Sequence, residues 1–192
     1  HPYESCNLGS INLAHLLKNG KFDWDRFKKT IHTAIHFLDN VIDVNKYPLS
    51  QIEQTTKANR RIGLGVMGFA ELLILIGTPY DSQKAIDFGE KLMKFLSDES
   101  RKASNRLAEE RGSFPAFEQS TWRGKVKCTR NATVTTIAPT GTISIIANAT
   151  SGIEPIFAVS FVRDVLEGTH LLEVTPLSRI SHANVDSTPK HS

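Results

Sequence analysis

Hydrophobic residues in the first third of the chain recur at intervals of three and four, which is the spacing of one buried helix face. Asp23 or Asp25 stands where it can accept hydrogen bonds from the first N–H groups of such a helix. Pro48 ends or redirects it, because proline lacks an N–H and clashes with the preceding turn. The pattern predicts one amphipathic helix with the buried residues Phe27, Ile31, Ala34, Ile35, Leu38, Val41 and Ile42.

The run from Leu64 to Ile76 is apolar nearly all round, which is typical of a buried helix. Three glycines near its start, Gly63, Gly65 and Gly68, would allow another backbone to approach closely. We therefore predict a second, buried helix here.

A longer helical pattern starts at Asp81-Ser82 and continues to about Glu110, with Gly112 as its C-cap. Its core face consists of Ile86, Leu92, Met93, Leu96, Ala103 and Leu107. Residues 112–127, which include a proline, two phenylalanines and a tryptophan, predict a packed surface loop.

The last third of the chain has a different pattern. The β-branched run Thr133–Ile137 predicts a strand, residues 138–141 break it, and Thr142–Ala147 predicts a short helix. Further short elements are predicted at Ile156–Val165, as a strand, and at Leu171–Ser181. Helices followed by strand, loop, helix and strand indicate an α/β fold.

Composition narrows the class of protein. With 192 residues, 40% hydrophobic and 22% charged, the chain can bury a core, so disorder is excluded. The balance of 23 Lys+Arg against 20 Asp+Glu gives no basic block and argues against nucleic acid. The longest apolar stretch is far too short to span a membrane. Since the sequence lacks an initiating Met and a signal peptide, we expect a cytoplasmic fragment.

One candidate site is the turn between the predicted strand Thr133–Ile137 and the short helix that follows it. Glycine at such a turn exposes backbone N–H groups, and the helix adds its positive end, so the two can form an anion cradle. Hydroxyl groups would add donors, and no lysine follows as in a Walker loop. The alternative is an ordinary turn capped by threonine. The candidate phosphate-binding residues are Ala138, Pro139, Thr140, Gly141, Thr142, Ile143 and Ser144.

The second candidate is Cys6, flanked by Ser5 and Asn7 in a segment of small and amide residues that predicts a tight, hydrogen-bonded turn. A cysteine in a polar, partly accessible place can ionise and exchange with a disulfide. The alternative is a buried structural cysteine. Two cysteines are too few for a disulfide scaffold or a thiolate zinc cluster. The other one, Cys128, is expected to be a packing residue or a bystander.

Two further patterns are weaker. His32 and His36 lie on one helical face near Asp39 and Asp43, but no glutamate follows as in zinc proteases, so a solvated polar face is expected instead of a metal site. The glycines at 63, 65 and 68 match a dinucleotide fingerprint by letter. The required preceding strand is not predicted, so we reject that interpretation.

Three segments, in order, resemble the large chains of ribonucleotide reductases. Residues 4–13 resemble the segment that follows the active-site cysteine loop, and residues 59–69 resemble the glycine-bearing barrel helix. Residues 130–144 resemble the substrate-phosphate loop. The amino-acid sequences of the first and third segments are more similar to the adenosylcobalamin-dependent class II branch than to the class I chains.

The resemblance implies reduction of ribonucleotides to 2′-deoxyribonucleotides by a thiyl radical on a ten-stranded α/β barrel. Residues 1–192 would be a fragment of the barrel domain, with a helical portion at about 1–112 and a phosphate-loop portion at about 128–192. Cys6 would be one member of a redox pair, supported by Ser5 and Asn7, whose partner lies outside the chain. The radical cysteine precedes the chain, so the fragment alone is expected to be inactive.

The resemblance also implies partners and cofactors: adenosylcobalamin, a dithiol reductant such as thioredoxin or glutaredoxin, the upstream part of the enzyme and a ribonucleotide. Unpaired strand edges of an incomplete barrel predict self-association, for example as a homodimer. No metal ligands, nucleic acid or membrane are expected. The alternatives are a nucleotide- or phosphate-binding module without catalysis, and an inactive scaffold fragment. The sequence leaves open di- or triphosphate as substrate.

Overall fold

A computed structural model describes residues 2–156, 160–165 and 169–174 of the chain. Five α-helices and six strands occur within these ranges, together with short 3-10 turns at Leu13–Leu16 and Phe117–Gln119. The helices are α1 Trp24–Val44, α2 Ser50–Asn59, α3 Phe69–Leu75, α4 Gln83–Arg111 and α5 Gly141–Ile146. The strands are β1 Asn7–Asn12, β2 Leu17–Lys18, β3 Lys21–Phe22, β4 Ile62–Met67, β5 Ser160–Val165 and β6 Thr169–Val174.

Parallel strands form the centre of the fold. β1 pairs with β4 in a register that runs from Asn7 opposite Ile62 to Asn12 opposite Met67. Residues 133–136 add a third parallel segment on the far side of β4. The backbone N–H of Leu64 donates to Val134 at 2.8 Å, and that of Thr136 donates to Leu64 at 3.1 Å. The predicted strand at 133–137 therefore lies next to β4.

Helices α1 and α4 pack together, and α1 also covers one face of β1 and β4. The prediction for α1 is confirmed, because its apolar face is buried and the Asp23 carboxylate accepts from the Arg26 N–H at 2.9 Å. The bounds predicted for α4 are confirmed, since Ser82 caps its start and Gly112, at φ 82°, its end. Its predicted core face is wrong at Ile86, which is 60% exposed because the neighbouring Ala85 faces the core there instead. The core contains Leu13, Leu16, Phe27, Ile31, Ile35, Ile42, Ile62, Leu64, Leu72, Leu92 and Leu96.

The prediction of one helix from Leu64 to Ile76 is wrong. The chain forms the fully buried strand β4, turns at Gly68 in the left-handed region (φ 74°), and then forms α3. A continuous apolar run is compatible with either a buried strand or a buried helix, and pairing with β1 decides for the strand.

The close approach predicted for the glycines is confirmed. A Cβ at Gly65 would lie 2.7 Å from the carbonyl oxygen of Thr136, and one at Gly63 would lie 2.9 Å from its Cγ2. Both glycines lie inside β4 and not in a turn that follows a strand. The geometry of a dinucleotide fingerprint is therefore not formed.

The remaining elements agree with the sequence where the structure describes them. Residues 112–127 form a packed loop in which Phe114 and Phe117 are buried, and the predicted short helix is α5. β5 and β6 form an antiparallel hairpin. Residues 157–159 and 175–181 of the last two predicted elements lie outside the described residues.

Helices and strands together confirm the α/β class. The described residues pair their named strands only in two-stranded ladders and do not close into a barrel. None of the helices in the described ranges combines the length and the apolar character needed to cross a membrane.

Candidate functional site

Cys6 lies immediately before β1 and is exposed. The segment that contains it was expected to be a tight turn, and this is wrong from Asn7 onward, where β1 begins. The flanking side chains fix this segment: the hydroxyls of Ser5 and Thr56 lie 3.0 Å apart, and the Asn7 amide lies 3.5 Å from the Leu38 carbonyl. The thiol is thus held at the start of a strand that is paired along its length.

The charge around the thiol is mixed. Partial burial raises the pKa of Cys6 above its ordinary value, the positive charge of Arg61 lowers this pKa, and the negative charge of Glu4 raises it. Arg61 and Glu4 themselves form an ion pair, with the Arg61 Nε 2.7 Å from the Glu4 Oε1. The thiol therefore sits beside a paired cation and anion.

Cys6 opens into a cleft between the start of β1, the start of β4 and residues 133–136. We call this the Cys6 cleft. Its volume is about 330 Å³. The strand segment that forms its far wall begins at the cleft and leads, at its other end, into the candidate phosphate loop. The cleft is lined by Glu4, Ser5, Cys6, Leu8, Arg61, Ile62, Gly63, Thr133, Thr135 and Thr136.

The candidate phosphate loop turns sharply at Thr140, whose φ of 56° lies in the left-handed region. This conformation is rare for a β-branched residue. It is held by a hydrogen bond in which the Gly152 N–H donates to the Thr140 hydroxyl at 2.7 Å. The Ser144 hydroxyl donates to the Gly141 carbonyl at 3.2 Å and lies 3.1 Å from the hydroxyl of Ser151. The hydroxyls of Thr140 and Ser144 are therefore engaged in hydrogen bonds that fix the conformation of the loop.

The outer surface of the loop consists of Pro139, Gly141, Thr142 and Ile143, which are exposed, while Ala138 is half-buried. The first N–H groups of a helix have no acceptor within that helix, so the start of α5 presents N–H donors beside the Thr142 hydroxyl. An added Cβ at Gly141 would meet no atom within 4 Å. Backbone donors, and not the hydroxyls of Thr140 and Ser144, are the groups this loop offers to an anion.

The structure contains a buried charge network on α1 that the sequence did not predict. Asp39 was expected on a solvated helix face, and this is wrong, because its side chain is fully buried. Its carboxylate accepts from Arg60 Nε at 3.0 Å, from Asn131 Nδ2 at 2.9 Å and from Arg130 Nε at 3.3 Å. Arg60 also binds Asp43 at 2.7 Å, which lowers the pKa of that carboxyl. The network joins α1 to the starts of β4 and of the phosphate-loop strand.

The two histidines of α1 both reach α4. The His32 Nε2 lies 3.0 Å from a carboxylate oxygen of Glu99, and the His36 Nε2 lies 2.8 Å from Arg111. Across the described ranges, no three His, Cys, Asp or Glu side chains are grouped so that they could hold a metal ion. Cys128 is half-buried, with its sulfur 3.8 Å from the Asn105 carbonyl, as expected of a packing residue.

Comparison with known proteins gives a consistent result. The family model described as ribonucleotide reductase, barrel domain, matches residues 1–128 and 123–188. A vitamin B12-dependent ribonucleoside-diphosphate reductase from Thermoplasma acidophilum is 59% identical over 92% of this chain and 23% of its own length. One from Mycobacterium tuberculosis is 54% identical over 91% of this chain and 25% of its own length.

More distant relatives carry a different name. The ribonucleoside-diphosphate reductase subunit alpha from Chlamydia pneumoniae is 35% identical over 90% of this chain and 20% of its own length. The chain thus spans about a quarter or less of the curated relatives it matches.

Proposed function

This chain belongs to the ribonucleotide reductase barrel-domain family, and from that premise we propose that it is the part of a cobalamin-dependent reductase that carries one redox cysteine and the substrate-phosphate loop. The enzyme would convert ribonucleotides to 2′-deoxyribonucleotides. The relatives named as vitamin B12-dependent are 54–59% identical, whereas the subunit alpha from Chlamydia pneumoniae is 35% identical. This difference supports the cobalamin-dependent branch.

One observation carries the proposal: Cys6 and residues 133–136 line the same cleft, and those residues lead into the loop at 138–144. A ribonucleotide whose phosphates lay at the loop would extend along residues 133–136 toward the thiol of Cys6. Three neighbouring parallel segments, with helices between them, are also the arrangement from which a ten-stranded α/β barrel would be built. We propose that residues 1–192 form such a part of the barrel.

In the proposed reaction Cys6 and a partner cysteine outside this chain reduce the substrate. Replacing the 2′-hydroxyl by hydrogen takes two electrons and two protons, and two thiols supply them as they become one disulfide. A thiyl radical on a further cysteine, also outside this chain, would start the reaction by taking the 3′-hydrogen. An external dithiol such as thioredoxin or glutaredoxin would then reduce the disulfide for the next turnover.

The loop at 138–144 would hold the phosphates through backbone N–H groups at the start of α5. An anion is favoured there by those N–H groups and by the positive end of the helix. Thr142 can add its exposed hydroxyl, while Thr140 fixes the turn through its bond from Gly152. The loop offers binding and orientation, without a cation of its own to assist phosphate transfer.

Adenosylcobalamin would supply the radical-generating chemistry of the complete enzyme. No contact of this chain with that cofactor forms part of the proposal. The proposed contribution of this chain is confined to thiol chemistry, phosphate binding and part of the barrel wall.

The test is turnover of a full-length reductase that carries these residues. With adenosylcobalamin and a dithiol reductant, Cys6→Ser is expected to abolish repeated turnover, because the pair can no longer form the disulfide that the reductant converts back into two thiols. The matched variant Cys128→Ser replaces the other, half-buried cysteine and should retain turnover. Unchanged turnover in Cys6→Ser would remove Cys6 from the mechanism. Activity that required a metal-radical subunit instead of cobalamin would contradict the class II assignment.

A further inference from the structure

We infer that Arg61 is a positioning residue for Cys6: with Glu4 as its counter-ion, it sets how readily the Cys6 sulfur carries negative charge during exchange with an external dithiol. The inference rests on the proposed redox function of Cys6 and adds to it a residue for which that function gives no role. It starts from three side chains that line one cleft, namely those of Glu4, Cys6 and Arg61.

Contacts with Glu4 hold the Arg61 cation in the cleft that the Cys6 thiol also lines. Arg61 Nε lies 2.7 Å from Glu4 Oε1, and the Asn59 amide donates to the same oxygen at 2.7 Å. Asn59 is the last residue of α2, so Glu4 is held between that helix and Arg61. Glu4 lies two residues before Cys6, which places both charges of the ion pair on the same cleft as the sulfur.

The remaining surroundings of the cleft are neutral. Among the residues that line it, Glu4 and Arg61 are the charged ones, and the wall opposite consists of threonines at 133, 135 and 136. Helix α2 contacts the segment that contains Cys6 through the hydroxyl of Thr56, which lies close to that of Ser5. Its titratable residues Glu53 and Lys57 pair with each other at 2.6 Å and do not line the cleft.

The two charges act on the thiol in opposite directions, because the cation stabilises a thiolate and the anion destabilises it. This matters when the disulfide is reduced. A thiolate of the external dithiol attacks the partner sulfur, the old S–S bond breaks, and Cys6 leaves with the electron pair as a thiolate that then takes a proton from water. The second thiol of the reductant, once deprotonated, closes the reductant's own disulfide and frees the partner cysteine. A thiol that carries negative charge more easily leaves faster.

The experiment measures the pH dependence of Cys6 alkylation in the full-length protein, with iodoacetamide as the probe and mass spectrometry of the Cys6 peptide as the readout. Arg61→Gln is expected to move the profile to higher pH and to slow alkylation at neutral pH by about threefold or more. Glu4→Gln is expected to move the profile to lower pH and to speed alkylation. A general loosening of the structure would instead change both variants in the same direction.

Two controls separate charge from structure. Arg61→Lys keeps the charge and should restore a profile close to that of the unaltered protein, while Lys57→Gln removes a nearby cation outside the cleft and should leave it unchanged. Coinciding profiles for Arg61→Gln, Glu4→Gln and the unaltered protein, or shifts in one common direction, would overturn the inference. If the opposite shifts occur but Cys6→Ser still turns over, the redox role of Cys6 fails, whereas the electrostatic coupling stands.

Discussion

Two neighbouring arginines lie on opposite faces of the β1–β4 ladder and differ in how far their side chains are exposed to water. Arg60 turns toward α1, where its side chain is 5% exposed and lies 2.9 Å from Asp39. Arg61 turns to the other side, where its side chain is 35% exposed and pairs with Glu4 at the Cys6 cleft. We call these the helix face and the cleft face.

The different exposure of the two arginines indicates which charged side chains can be changed without a large loss of stability. On the helix face Arg60 and Asp39 are both desolvated, so losing one of them leaves an uncompensated buried charge and costs several kcal/mol. On the cleft face the Arg61 side chain is 35% exposed and water solvates it in part, while Glu4, at 10% exposure, keeps a hydrogen bond from Asn59 when Arg61 is removed, so this pair is worth less to stability than the buried one. A side chain of that kind can be adapted to a reaction without weakening the fold.

The largest effect is expected on the helix face, at Asp39. Asp39→Asn would leave Arg60 and Arg130 without their shared anion, and we expect a loss of about 3–5 kcal/mol in the free energy of unfolding. Urea unfolding of the chain measures it. The matched variant Asp43→Asn removes a carboxylate that binds the same arginine but is 46% exposed. Its cost should be about 1 kcal/mol or less, and equal losses would erase the distinction.

A steric change tests the cleft face. Gly65→Ala would place a methyl group 2.7 Å from the Thr136 carbonyl oxygen, so we expect displacement of residues 133–136 and a loss of about 1–3 kcal/mol. Gly9→Ala in the paired strand would meet side-chain atoms of Leu38 at 3.6 Å and of Leu64 at 3.7 Å, which are ordinary contact distances. Hydrogen exchange at the Thr136 N–H, which donates to Leu64, should quicken in the first variant only. Equal protection in both would contradict the packing.

A smaller effect, dependent on pH, is expected from Glu99, which joins α4 to α1. Burial raises its pKa, but hydrogen bonds from Lys102 and His32 and the charges of Lys102 and Lys28 outweigh this and lower the pKa to about 2. Because the folded pKa is depressed, Glu99 stabilises the protein above the pKa of an unfolded glutamate, and this contribution is lost as pH falls through the folded value.

Acid titration of the unfolding free energy checks this. The chain should lose of the order of 2 kcal/mol more than Glu99→Gln as pH falls from neutral toward the folded pKa. The comparison with Glu99→Gln isolates this one carboxylate from the others. Parallel pH profiles for the two proteins would show that Glu99 does not carry the interaction.

Local patterns predicted the elements whose signals are local. The periodic faces and caps of α1 and α4 lie within each helix, and both were found from Asp23, Ser82 and Gly112. β4 was mistaken for helix, because its apolar run carries no period and only the pairing with β1 decides its form. Tertiary contact supplied what the local pattern lacked.

The site divides in the same way. Cys6 and the loop at 138–144 were found from short motifs and a resemblance, whereas their connection through the strand segment that lines the Cys6 cleft needed the fold. Asp39 was missed because its partners lie 21 residues away at Arg60 and 91 residues away at Arg130. The ion pair of Arg61 was missed because its partner, Glu4, lies far away in the sequence, before the start of β1. No spacing rule links such positions.

The central claim is that Arg60 stabilises the fold, whereas Arg61 acts on the Cys6 thiol and contributes little to stability. Unfolding of two matched variants tests this claim most directly. The free energy of unfolding of Arg60→Gln should fall by about 3–5 kcal/mol, because Asp39 is left buried without its main partner. That of Arg61→Gln should fall by about 1 kcal/mol or less. Equal losses in the two variants, or a larger loss in Arg61→Gln, would contradict the account.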